Sequence, residues 1–110
     1  MRTQAAHAIL VAALTVSHAH AGDLVINGTV KAVTNTSSNL QNFAIQVAGG
    51  SPNVCGSGWI NFPISAGADA DAHKRAFALA LTALTTGLRV RVHNYHGSDC
   101  NTASYIELVG

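Results

Sequence analysis

The chain has 110 residues, 48% of them hydrophobic and 10% charged, with a formal net charge of +1. That apolar content excludes a disordered chain, and the near-neutral balance excludes a polybasic protein held to nucleic acid by charge alone. The length provides for one small domain at most.

Residues 1–21 read as a secretory signal peptide. Arg2 supplies a short basic start, Ala5 to Val16 is apolar apart from His7 and Thr15, and Ala19-His20-Ala21 has the small-x-small pattern of a cleavage site. The apolar core of about a dozen residues is too short for the roughly 20 that a spanning helix needs. A retained anchor is the alternative reading. Cleavage after Ala21 would leave 22–110 as the folded domain, with five basic residues against five acidic ones. A secreted or periplasmic location is expected, with no membrane span and no long-range attraction to nucleic acid.

Leu24 to Val33 favours β structure, with Leu24, Ile26, Val30 and Ala32 as the better inward face. Gly28 interrupts the run and predicts a bulge. Thr34 to Asn39 is a polar Thr/Asn/Ser stretch, hence a loop. Asn42 to Ala48 alternates, with Phe43, Ile45 and Val47 on one side, as a half-buried strand does. Gly49-Gly50-Ser51-Pro52 ends it. Trp59-Ile60-Asn61-Phe62 is a third short strand, stopped by Pro63.

From Ala70 to Thr86 the period becomes helical. Asp69 is the expected N-cap, Asp71 adds charge suited to the first turn, and Gly87 is placed to end the helix in the left-handed conformation. Phe77, Ala80, Leu81, Leu84 and Leu88 form the expected apolar stripe. Leu88 to His93 then alternates strictly. His96 to Ser104 is a loop, and Tyr105 to Val109 closes the chain as a strand with Ile106 and Leu108 inward. Three strands, a helix and two strands is the order of the OB-fold, a five-stranded Greek-key barrel in which Phe77, Leu81 and Leu84 would plug one open end. A small α+β sandwich is the alternative.

Cys55 and Cys100 are the only cysteines. In an exported chain they most simply form one disulfide. Closing a loop of about 46 residues would be worth roughly 4 kcal/mol in the chain-entropy model. His93 and His96 precede Cys100, but C-x-x-C spacing is absent, so neither a metal site nor a cofactor is expected.

The segment Trp59 through Val92, above all Leu84-Thr85-Thr86-Gly87-Leu88-Arg89-Val90-Arg91-Val92, resembles the helix and fourth strand of the B subunits of subtilase cytotoxin and typhoid toxin. Asn42-Phe43-Ala44-Ile45-Gln46 resembles their second strand, with Ala44 where those subunits carry a cysteine. The chain is also similar to a larger group of small exported bacterial proteins of unsettled role. The resemblance implies a secreted OB-fold that binds a cell-surface glycan, forms a homo-pentamer and serves a toxin A chain. It points to the first strand for a saccharide pocket. There Asn27, in Ile26-Asn27-Gly28-Thr29, stands nearest the family's sialic-acid-binding serine.

Asn27, Thr29 and Gln46 are accordingly the expected polar contacts to a saccharide. Arg89, Arg91, His93 and Tyr95 share one strand parity and would project as a row about 6.6–7 Å apart. Arg89, Arg91 and Tyr95 join the ligand set because Arg offers a fork for a carboxylate and Tyr a ring with a polar tip. The plainer reading of the row is a solvated outer strand face. Trp59 is expected in the core beside the disulfide, with stacking on a ligand as its alternative.

A Ser-His-Asp set can be drawn from Ser57, Ser98 or Ser104 with His93 or His96 and Asp99, but no nucleophile-elbow signature accompanies it. Gly49-Gly50 and Gly56-Ser57-Gly58 lack the following Lys and helix of a phosphate loop. The expectation is a non-catalytic, toxin-B-subunit-like carbohydrate-binding module. The alternative is a monomeric periplasmic or secreted protein that binds another protein.

Overall fold

The structure is a computed structural model and describes residues 22–35 and 42–110. The signal-peptide reading and residues 36–39 of the expected Thr34–Asn39 loop lie outside the described residues, while Thr34 and Asn35 are strand rather than loop. Strands β1 (Gly22–Asn35), β2 (Asn42–Ala48) and β3 (Trp59–Pro63) precede a short 3-10 turn at Ile64–Ala66 and helix α1 (Ala70–Thr86). Strands β4 (Arg89–Asn94) and β5 (Tyr105–Val109) follow.

The five strands form one antiparallel sheet in the order β3-β2-β1-β4-β5. β1 is central because its two halves have different partners. Gly22 to Gly28 pairs with β4, and Thr29 to Asn35 pairs with β2. Its register shifts between Asp23 and Val25, between Val25 and Gly28, and between Val30 and Ala32, and Asn27 has φ 61°. Each extra residue bends the strand and resets which side chains face inward. The expected inward set is therefore corrected. Leu24, Val25, Gly28 and Val30 are buried, whereas Ile26 and Ala32 are half-buried.

β3 and β5 share no ladder. The residues before β5 bridge the gap instead: the Asn61 N–H donates to the Cys100 carbonyl at 2.8 Å, and the Ala103 N–H donates to the Asn61 carbonyl at 3.1 Å. The disulfide Cys55–Cys100, with a Cα–Cα distance of 5.9 Å, fastens the same place. Among the described residues the result is a mainly β, OB-like open sheet with one α-helix.

α1 is delimited as its sequence requires. Asp69 Oδ1 accepts the Ala72 N–H at 2.8 Å, and Gly87, at φ 78°, donates its N–H to the Ala83 carbonyl. Its inner face departs from the expected stripe. Ala76, Ala80 and Ala83 are buried, Phe77 and Leu79 pack partly on the core, and Leu81, Leu84 and Leu88 are each 40% exposed. Three alanines on one face let the helix backbone lie close to β1 and β5, and this selects the contact face over the bulkier leucines. Phe43 stacks on Phe62 with ring centroids 4.7 Å apart and meets the edge of Phe77 at 5.1 Å. Among the described residues, no helix is long and apolar enough to cross a membrane.

Candidate functional site

The outer face of β4 carries the predicted row, since Val90, Val92 and Asn94 are buried and Arg89, Arg91, His93 and Tyr95 lie on the opposite side. Arg91 is fully engaged. Its guanidinium is 2.8 Å from Asp23 Oδ1 and 3.3 Å from Glu107 Oε1, and it lies 5.4 Å from the centre of the Tyr105 ring. His93 Nδ1 is 2.8 Å from the same Asp23 oxygen. The His93, Tyr95 and Tyr105 rings meet edge to face at 4.7–6.2 Å, which leaves no space between them for a ligand group. The hydrogen bond from His93, reinforced by Arg91 and opposed in part by burial, holds the Asp23 carboxyl below its ordinary range. Asp23 in turn raises the Arg91 guanidinium. Asp23, Tyr105 and Glu107 were absent from the sequence-derived set. The β5 alternation that turns Ile106 inward already places Tyr105 and Glu107 outward, opposite His93 and Arg91.

The other predicted contacts fall in two separate places. Asn27 and Arg89 line a cavity of about 360 Å³ with Gly87, Leu88, Val109 and Gly110. Gln46 lines a cleft of about 550 Å³ with Lys31, Asn53, Ser57 and the backbone of Gly49-Gly50 and Gly56-Ser57-Gly58. Thr29 is half-buried opposite Ala48 and lines neither.

The 550 Å³ cleft is built by β2 and the connection to β3. That connection lies along β1: the Ile26 N–H donates to the Pro52 carbonyl, the Ser51 N–H to Ile26 and the Val54 N–H to Leu24. Gly50 is required here, because a Cβ would lie 2.7 Å from the Ile26 carbonyl oxygen and φ is +91°. Asn53 Nδ2 donates to the Gly49 carbonyl at 2.7 Å and closes the turn. Lys31 enters the lining from the irregular stretch of β1 between Val30 and Ala32, which simple strand alternation does not register.

Trp59 corrects a second expectation. It is 39% exposed rather than in the core, and it pairs directly with Gln46 across β2 and β3. As the first residue of an edge strand, it has partners on one side only. Trp59 does not itself line the cleft; it is the cross-strand neighbour of Gln46, which does.

Members of the Ser-His-Asp set are engaged with other partners. His96 Nε2 is 3.0 Å from the Ala66 carbonyl, Asp99 accepts from the Asn101 N–H and the Thr102 hydroxyl, and Ser104 Oγ accepts the Tyr95 N–H. Among the described residues, no three His, Cys, Asp or Glu side chains converge as metal ligands.

Fold and cleft together define a small OB-like domain with a solvent-open cleft and an exposed Trp59 paired with one of its lining residues. The chain belongs to a family of unknown function, DUF5992, whose model matches residues 5–110. No curated protein and no solved structure matches it.

Proposed function

We propose that the protein is a secreted or periplasmic, non-catalytic binding module that takes a saccharide in the cleft beside Trp59. The observation that carries this reading is the half-exposed Trp59 directly opposite Gln46, a residue of the cleft lining. An aromatic face offers the apolar surface that sugar C–H groups cover, and the amide of Gln46 with the polar groups of Asn53 and Ser57 offers hydrogen bonds to hydroxyls. The β2–β3 face is also where OB-folds bind oligosaccharides. The finer reading is a toxin-B-subunit-like ring that recognises a cell-surface glycan and carries a toxin A chain.

A glycan array is the test, with Trp59→Ala as the control. The expected result is binding to a defined saccharide class that Trp59→Ala weakens about tenfold while the far-ultraviolet spectrum is kept. Failure of every glycan to bind, or equal binding by the variant, overturns the reading. Size-exclusion chromatography with light scattering tests the ring, and a stable monomer removes it.

A monomeric protein that binds another protein is the second reading. The exposed Leu81 and Leu84 on α1, with Leu88 just beyond its end, favour it, because solvent-facing leucines at helical spacing are a common element of protein interfaces.

A further inference from the structure

The charge pattern of the cleft goes beyond what a neutral sugar needs. Lys31 is the one ionisable side chain in its lining, and no carboxylate joins it. Among the described residues Lys31 makes no ion pair. The acids are committed elsewhere: Asp23 and Glu107 to Arg91, Asp69 to the cap of α1, Asp71 to its first turn and Asp99 to its own turn.

Two glycine-bearing loops form much of the remaining lining. Gly49, Gly50, Gly56 and Ser57 are exposed residues whose backbone N–H groups donate to no protein acceptor among the described residues. Gly49, Gly50 and Gly58 have φ of 73°, 91° and 83°. Turns that pass through the left-handed region group successive N–H donors into concavities suited to anions. No lysine follows these glycines in sequence. β1 supplies Lys31 from 18 positions before Gly49, so no linear motif records the arrangement.

We infer that this cleft holds a tetrahedral oxyanion, a sulfate or phosphate group on the ligand, through the Lys31 ammonium and the backbone N–H groups of Gly49, Gly50, Gly56 and Ser57. A carboxylate is best matched by the planar fork of Arg, and no Arg lines the cleft. A Lys point charge with donors spread over two loops suits a group whose oxygens point in several directions. The inference shares its location with the saccharide reading and fails separately from it.

The experiment is an amide chemical-shift titration of the isotopically labelled protein with sodium sulfate, sodium phosphate and sodium acetate at constant ionic strength. Sulfate and phosphate shift the Gly49, Gly50, Gly56 and Ser57 amides saturably, and acetate does not. Lys31→Gln weakens both anions about tenfold, whereas Lys74→Gln, on α1, leaves them unchanged. Non-saturating shifts, equal saturation by acetate, or an unaffected Lys31→Gln variant overturns the inference. A silent glycan array beside a saturable sulfate titration removes the saccharide and keeps the oxyanion.

Discussion

Asp23 Oδ1 sits 2.8 Å from His93 Nδ1, 70 residues away in sequence, and 2.8 Å from the Arg91 guanidinium as well. One carboxylate oxygen thus ties the start of β1 to two outward residues of β4. The contact keeps the Asp23 carboxyl below its ordinary range. A carboxyl depressed in the folded state adds stability above its unfolded value, near 3.9, and that contribution fades as pH falls through the folded value. Thermal stability should therefore decline from about pH 5 downward. Asp23→Asn should lower the melting temperature at neutral pH and flatten this acid limb. Circular-dichroism melts across the range check it, and parallel curves for the two proteins would remove Asp23 from the explanation.

Asn94 is fully buried and uses its whole amide. Its oxygen accepts the His96 and Gly97 N–H groups at 2.7 and 3.1 Å, and its nitrogen donates to the Asp99 carbonyl and the Thr102 hydroxyl at 2.8 and 2.9 Å. One core side chain thereby shapes the β4–β5 connection. Asn94→Ala leaves these groups without partners and should cost about 2–4 kcal/mol in urea denaturation. The connection should also become the first site of limited proteolysis. A loss within experimental error would show that water replaces the amide at no cost.

The strands and the helix ends were legible because each is written locally, and the cysteine pair because Cys55 and Cys100 are the only two cysteines. Asp69, Gly87 and the alternation of β2 and β4 need no distant partner to be read. The cleft was not legible, because its parts come from three separate stretches. Lys31 stands at an irregular turn of β1, the glycines lie in the β2–β3 connection, and only the fold brings them together. Asn27 and Gln46 are expected in one saccharide pocket, but they line different cavities, and Asn27 shares its cavity with Arg89 from the β4 row. Trp59 is exposed because alternation along β3 turns it to the outer face, opposite the buried Ile60 and Phe62, and hydrophobicity does not show which parity of a short strand faces in.

The disulfide closes a loop with a sequence separation of 45 and fastens two segments that no strand ladder joins. Replacing Cys55 and Cys100 by Ser should cost about 4 kcal/mol by the loop-entropy argument. Cys55 also lines the cleft, so the same variant should weaken ligand binding under conditions where it remains folded. Equilibrium denaturation of the variant and of the reduced protein should agree with each other. Unchanged stability in both would mean that the Asn61 backbone bonds to Cys100 and Ala103 hold the edges together alone.

Helix α1 offers the sharpest test of how its face was selected. Ala80 is fully buried, and Ala76 and Ala83 flank it on the same inner side. A larger side chain at Ala80 must push the helix off the sheet, so Ala80→Leu should destabilise by about 1–3 kcal/mol despite its higher hydrophobicity. Leu81 and Leu84 are each 40% exposed, and Leu81→Gln or Leu84→Gln should change stability by at most about 0.5–1 kcal/mol. A face read from hydrophobicity alone predicts the opposite order, with the leucine variants collapsing and Ala80→Leu gaining. Denaturation midpoints of the three variants decide between them. If the leucine variants keep their midpoints but change elution volume or partner capture, the exposed edge of α1 serves association rather than the core.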